Sequence, residues 1–200
     1  MKNHIIITGD VINSRAQDID NWMPRLEASL KRYSIRYDIY RGDSFQAEMK
    51  LEDLFQAIFH LKASLRMFEP NDVRVGIGFG DISYEDPDIK KSSGSAFVYS
   101  GESFDQLGRE TLSFKSDYPE LDAQLNLILS LASTITDQWK VGAAEIVQVA
   151  LEHPNATQKE LLEISGRKHQ SQVSLHLSKA HYNKILQVIQ YCTKELKKYA

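Results

Sequence analysis

A single cysteine, Cys192, leaves this 200-residue chain no internal disulfide and no partner for a cysteine-ligated zinc, so cysteine chemistry drops out and a reducing compartment is expected. Apolar runs are equally scarce. None approaches the length of a bilayer span, and Met1-Lys2-Asn3-His4 passes straight into a β-branched stretch without the apolar core of a signal peptide. A cytoplasmic location and no membrane partner are expected. Repeats, low-complexity tracts and flexible Gly/Ser linkers are missing too, so the parts of the chain should be joined by structure rather than by a tether. Three of the histidines, His169, His176 and His181, stand seven and five residues apart with no carboxylate beside them, and no metal site is read from them.

What remains is a soluble composition long enough for one sizeable core, or for one ordinary domain and a small one. The net charge of −3 hides an asymmetry: residues 157–200 hold 8 Lys+Arg against 3 Asp+Glu, the remainder 16 against 24. An acidic body carries a basic tail.

Two strands end in Gly-Asp. The run His4-Ile5-Ile6-Ile7-Thr8 has the character of a central strand and stops at Gly9-Asp10. Further on, Ile35, Tyr37 and Ile39 alternate up to Arg41-Gly42-Asp43-Ser44, and alternation resumes at Phe45, Ala47 and Met49, which reads as a hairpin with a carboxylate at its tip. Turn chemistry alone also accounts for a Gly-Asp at such a place. Between these strands Trp22, Leu26, Leu30 and Tyr33 recur at helical spacing. After the hairpin comes a second amphipathic helix, stopped by Glu69-Pro70-Asn71-Asp72. Next, Val73, Val75, Ile77 and Phe79 alternate with Arg74, Gly76, Gly78 and Gly80, a strand whose glycine face admits another backbone or a ligand. The order β-α-β-β-α-β is the ferredoxin-like split arrangement, which sets the first and third strands side by side and so brings Asp10 to Asp43.

Residues 84–93 read as a polar excursion. Phe97, Gly101, Phe104 and Leu107 then form a helical stripe with small Ser100 and Gly101 for close packing, and residues 111–115 read as a further strand. Leu121, Leu125, Ile128, Leu129, Ala132 and Ile135 mark a connecting helix. The expected division is an α/β domain over 1–116, a connector over 117–138 and a small all-α domain over 139–200. In the last part Thr157-Gln158-Lys159-Glu160 is a capping box, Gly166 ends its brief helix, and Val173, Leu177 and Ala180 form the inner face of the next one.

Asp10 and Asp43 are hard oxygen ligands suited to Mg²⁺, which favours a couple of carboxylates together with substrate phosphates. Asn13, Ser14 and Arg15 follow the first carboxylate and suit the phosphate oxygens of a nucleoside triphosphate. In the absence of a cation, Arg15 or Arg41 would compensate the paired carboxylates. On the basic tail, Gln170, Gln172 and Ser174 have the chemistry to reach base edges, with Arg167, Lys168 and Lys179 near phosphates. A plain interaction helix with a solvated basic face is the other reading.

The Arg-Gly-Asp-Ser-Phe hairpin resembles the Gly-Gly-Asp-Glu-Phe hairpin of diguanylate cyclases and the Gly-Asp hairpin of adenylyl and guanylyl cyclases, and Val73-Arg74-Val75-Gly76-Ile77-Gly78-Phe79-Gly80 resembles the strand that follows. The likeness implies a cyclase-type palm, with Asp10 and Asp43 on metal, residues 11–14 around the triphosphate, and Arg109 as phosphate support; Arg41, beside the hairpin carboxylate, is a second candidate for phosphate support. It also implies a homodimer. Ser44 replaces a cyclase glutamate, Ile39 a base-reading lysine and Asp105 a helix asparagine, so nucleotide binding with slow or absent turnover is expected. Residues 157–179 resemble the helix-turn-helix of sigma factors, which implies duplex DNA as a partner. Taken with Gly9-Asp10-Val11-Ile12-Asn13-Ser14-Arg15 and Ser100-Gly101-Glu102-Ser103-Phe104-Asp105-Gln106-Leu107, these motifs resemble the bacterial SatD family over nearly the whole chain. The combined expectation is a nucleotide- and metal-binding regulator whose palm is coupled to a DNA-binding domain. The alternatives are an enzyme acting on nucleotides and a degenerate palm serving protein contacts.

Overall fold

The β-branched run after Asn3 forms β1 (His4–Ile12), and a long α1 (Ile19–Tyr33) leads into β2 (Ser34–Tyr40) and β3 (Ser44–Met49). Then follow α2 (Leu54–Arg66), β4 (Asp72–Gly80), α3 (Ser95–Asp105), β5 (Leu112–Lys115) and α4 (Pro119–Thr136). The chain finishes with α5 (Val141–Glu152), α6 (Gln158–Ile164), α7 (Gln170–Lys179) and α8 (Tyr182–Leu196). This is a computed structural model, and it describes residues 3–200.

The five strands make one open sheet in the order β2-β3-β1-β4-β5. β1 pairs antiparallel with both β3 and β4, so the first and third strands are neighbours, and β5 adds to β4 in parallel. The period-two alternation sorts the faces. Ile5, Ile7, Phe45, Ala47, Val75 and Ile77 are buried in the main core with α1 and α2, while the glycines of β4 turn to α3.

That glycine face settles one choice left open by the sequence: what approaches it is backbone. A Cβ at Gly76 would lie 2.3 Å from the Phe104 amide nitrogen, and one at Gly78 2.1 Å from the Ala96 carbonyl oxygen. The helix that lies there differs from its expected stripe. Ala96, Ser100 and Ser103 are its buried residues, whereas Phe97 and Phe104 are only half-buried and a Cβ at Gly101 would meet nothing. Small side chains face small side chains because the helix lies almost on the strand; the hydroxyls of Ser100 and Thr8 meet at 3.0 Å.

α2 is covered on all sides, including at polar positions. Lys62 is fully buried, with its ammonium 3.1 Å from Asp72, 2.9 Å from Asp137 and 3.0 Å from the Thr111 hydroxyl. His60 is buried with Nδ1 2.8 Å from the Ser29 hydroxyl and Nε2 2.9 Å from Glu152. Both clusters join the sheet layer to the helices that follow it. At the sheet edge Asn126 of α4 accepts from the Phe114 amide at 2.7 Å and donates to the Phe114 carbonyl at 2.8 Å, so it satisfies an edge strand.

The main core continues past the sheet into α5 and α8 through Ala143, Ala144, Val147, Leu151, Ile185, Ile189, Cys192 and Leu196. A second, small cluster gathers Ile146 and Ala150 of α5 with Leu161 of α6 and Val173 of α7. The capping box is present in both directions at Thr157 and Glu160.

Candidate functional site

The hairpin between β2 and β3 closes with Tyr40 opposite Ser44, leaving a three-residue turn. Arg41 and Gly42 adopt left-handed conformations there, with φ of 57° and 89°. Ser44 in turn stands opposite Asp10, and the Val11 amide donates to the Asp43 carbonyl at 3.1 Å. The two Gly-Asp segments are therefore adjacent along the backbone.

Their carboxylates have different partners. Asp43 accepts from the Ser14 hydroxyl at 2.6 Å, and the Ser14 carbonyl is held by the Trp22 indole at 3.2 Å, so the loop after β1 is fixed to α1. Asp10 is gripped by Arg74, its cross-strand neighbour on β4: Nε lies 3.0 Å from one carboxylate oxygen and Nη2 2.5 Å from the other. The hydrogen bond to Asp10 raises the Arg74 pKa above its ordinary value, against the opposing effect of burial. An arginine compensates the carboxylate, as electrostatics demands, but it is neither Arg15 nor Arg41. Composition and spacing did not reveal Arg74 as a partner; its position directly opposite Asp10 follows only from the β1–β4 register.

A cleft of about 270 Å³ opens on the α1 side of the tip. Ser14, Arg15, Trp22, Arg41 and Asp43 are among its lining residues. Arg15 and Arg41 are exposed, and among the described residues neither side chain has an ion pair or hydrogen bond to another group. Asn13 is turned away: it sits at φ 57°, its carbonyl accepts from the Ala16 amide, and its amide donates to the Pro70 carbonyl at 3.0 Å. Arg109 is exposed in the turn between α3 and β5. The structure thus brings Ser14, Arg15, Arg41 and Asp43 into one cleft and leaves Asp10, Asn13 and Arg109 outside its lining.

For a divalent ion the fit is poor as the side chains stand. Both oxygens of Asp10 are taken by Arg74, and among the described residues no group of three or more His, Cys, Asp or Glu could hold a metal.

The second set of polar residues lies on α6, α7 and the turn between them. Gly166 takes a left-handed φ of 65° in that turn, and Val173 and Ala180 are buried with Leu177 half-buried. Lys168, Gln170, Gln172, Ser174 and Lys179 are exposed. Arg167 is not free, since its guanidinium is paired with Glu145 of α5. Where α7 crosses α5, His176 lies against Gly142, so that a Cβ there would fall 2.6 Å from the imidazole. Burial, and then the charge of Arg167, lowers the His176 pKa.

Fold and site together define a mixed α/β protein: a five-stranded open sheet with eight α-helices among the described residues, an arginine-lined cleft at one hairpin tip, and a polar-faced helix pair away from the main core. Within that class the family is specific. The SatD family model matches residues 4–190, and the chain belongs to the SatD family. A search of curated proteins found no match. No helix is long and apolar enough to cross a membrane among the described residues.

Proposed function

We propose that this chain is a nucleotide-responsive regulator: a ferredoxin-like palm binds the phosphates of a nucleotide at its hairpin tip, and a helix-turn-helix formed by α6 and α7 docks on duplex DNA. The observation that carries the phosphate half is the meeting of two unpaired guanidiniums, Arg15 and Arg41, in one cleft. Two forked cations suit the terminal oxygens of a phosphate, while the Ser14 proton is already donated to Asp43. At 270 Å³ the cleft is smaller than the roughly 300–1,000 Å³ of sites that enclose a whole ligand. It would take the phosphate end of a nucleotide and leave the base outside, which agrees with the absence of the base-reading lysine at Ile39.

Supporting the DNA half are the exposed Gln170, Gln172, Ser174 and Lys179 on a helix anchored through buried Val173. Lys168, exposed just before it, would supply a cation to a phosphate, while Arg167 is spent on Glu145 and contributes to holding the pair on α5. A second reading has its own observation. Leu175 is 51% exposed and Ile164 49% exposed on the same helix pair, which suits a protein contact.

Calorimetry with nucleoside triphosphates and inorganic pyrophosphate tests the cleft: heat of binding in the wild type, weakened at least about tenfold in Arg15→Ala/Arg41→Ala. Equal affinity in both proteins would remove the phosphate reading. Retention on duplex DNA should fall steeply as salt rises and be lost in Lys168→Glu/Lys179→Glu. Retention indifferent to both would leave α6 and α7 as a protein-contact pair.

A further inference from the structure

We infer that Arg74 is the resident cation of Asp10, and that the hairpin-tip cleft consequently takes phosphate oxyanions without a divalent metal. This rests on the phosphate reading of the cleft for its second half and on the sheet alone for its first.

The pair is built into the fold. Asp10 and Arg74 stand directly opposite each other in the β1–β4 register, so their Cα positions are fixed by ladder hydrogen bonds rather than by a loop. The guanidinium meets both carboxylate oxygens, at 3.0 and 2.5 Å, in the fork-to-fork geometry that Arg and carboxylate share. It also lies 5.4 Å from the centre of the Phe104 ring. Phe104 is itself placed by the glycine row, since its backbone rests on Gly76. The arginine head therefore has both a carboxylate and a ring as neighbours.

A divalent ion at Asp10 would have to displace that arrangement. Having done so, it would sit within a few ångströms of a guanidinium that does not lose its charge. Mg²⁺ also gives up its own waters reluctantly and asks for near-octahedral oxygen ligands, whereas Asp43, the neighbouring carboxylate, is bound to the Ser14 hydroxyl on the cleft side. Charge counting agrees. With Asp10 neutralised by Arg74, the tip is left with Asp43 against Arg15 and Arg41, a net positive charge facing the cleft. An oxyanion finds compensation there from the chain's own side chains.

The test uses the full chain and two probes. Electron paramagnetic resonance of Mn²⁺ should show no bound ion in the wild type at millimolar metal. Arg74→Gln should gain binding of at least about tenfold, lost again in Asp10→Asn/Arg74→Gln. Calorimetry with pyrophosphate should give the wild type the same affinity in EDTA as in Mg²⁺, within about twofold. Mn²⁺ bound to the wild type and lost in Asp10→Asn would overturn the inference, and that comparison stands even if Arg74→Gln does not fold. So would a folded Arg74→Gln that still ignores Mn²⁺, or pyrophosphate affinity that collapses in EDTA. Pyrophosphate binding absent with and without metal would instead remove the phosphate reading, leaving the Mn²⁺ comparison to judge Arg74.

Discussion

The sheet body and the α6–α7 pair are built from unequal materials. In the body, central strands β1 and β4, an enclosed α2 and buried charge clusters all contribute to one continuous core. The α6–α7 pair has Leu161 and Val173 of its own and borrows Ile146 and Ala150 from α5. At about 1.5–3 kcal/mol for each buried large aliphatic side chain, so few anchors hold the pair at a small fraction of the stability available to the body. The body fixes its atoms through many contacts, while the pair is held by few.

The change that most directly strikes the body is Asp72→Asn. It strips Lys62 and Arg66 of a shared, nearly buried carboxylate. Removing one partner of a buried ion pair costs about 3–5 kcal/mol; Asp137 stays beside the Lys62 ammonium, so the loss should fall at the lower end of that range, and the main urea transition should move to lower denaturant. Gly78→Ala comes next. Its Cβ would collide with the Ala96 carbonyl, and overpacking of this kind costs about 1–3 kcal/mol; calorimetric melting should register the loss globally. Val173→Ala should behave oppositely in kind. About 2 kcal/mol is removed from the small cluster, so hydrogen exchange should accelerate across α6 and α7 while the main transition stays put. A main transition that shifts as far as it does in Asp72→Asn would abolish the contrast between the two regions. Thr157→Ala should repeat the local effect at about 1 kcal/mol by deleting the cap of α6, read in the same amides.

Acid probes the joint between the regions. His60 hydrogen-bonds Glu152 at the end of α5 and holds its pKa below the ordinary glutamate value, with burial opposing. A depressed carboxylate contributes stability above the unfolded-state pKa and loses it as pH falls through the folded-state one. Wild type should therefore exceed Glu152→Gln most near neutrality, and the gap in melting temperature should close as acid is added below the ordinary glutamate range.

Sequence pattern carried much of this layout because the relevant physics is local. The stripe Trp22, Leu26, Leu30 and Tyr33 is buried as its spacing demands, and the capping box needed only Thr157 and Glu160. The adjacency of the two Gly-Asp segments followed from element order. What stayed hidden depended on register and layering. The burial of His60 and Lys62 depends on partners distant in sequence, Glu152 at the end of α5 for one and Asp72, Thr111 and Asp137 for the other. The buried face of α3 was misplaced because serine and alanine carry little hydrophobic signal, and only the glycine row beneath them makes them the inner residues. The Arg74 grip on Asp10 links residues 64 positions apart, through a strand pairing that no periodicity displays.

One further feature is the way the chain leaves the body and returns to it. α5 departs with Leu151 still in the main core, and Ala180 is back in that core directly after α7. The Trp139 indole, just before α5, donates to the Ala180 carbonyl at 3.0 Å and so ties departure to return. The α6–α7 pair is thus an insertion mounted on two posts and not an appendage on one thread. A nick in the turn around Gly166 would leave each half still fastened at its own post.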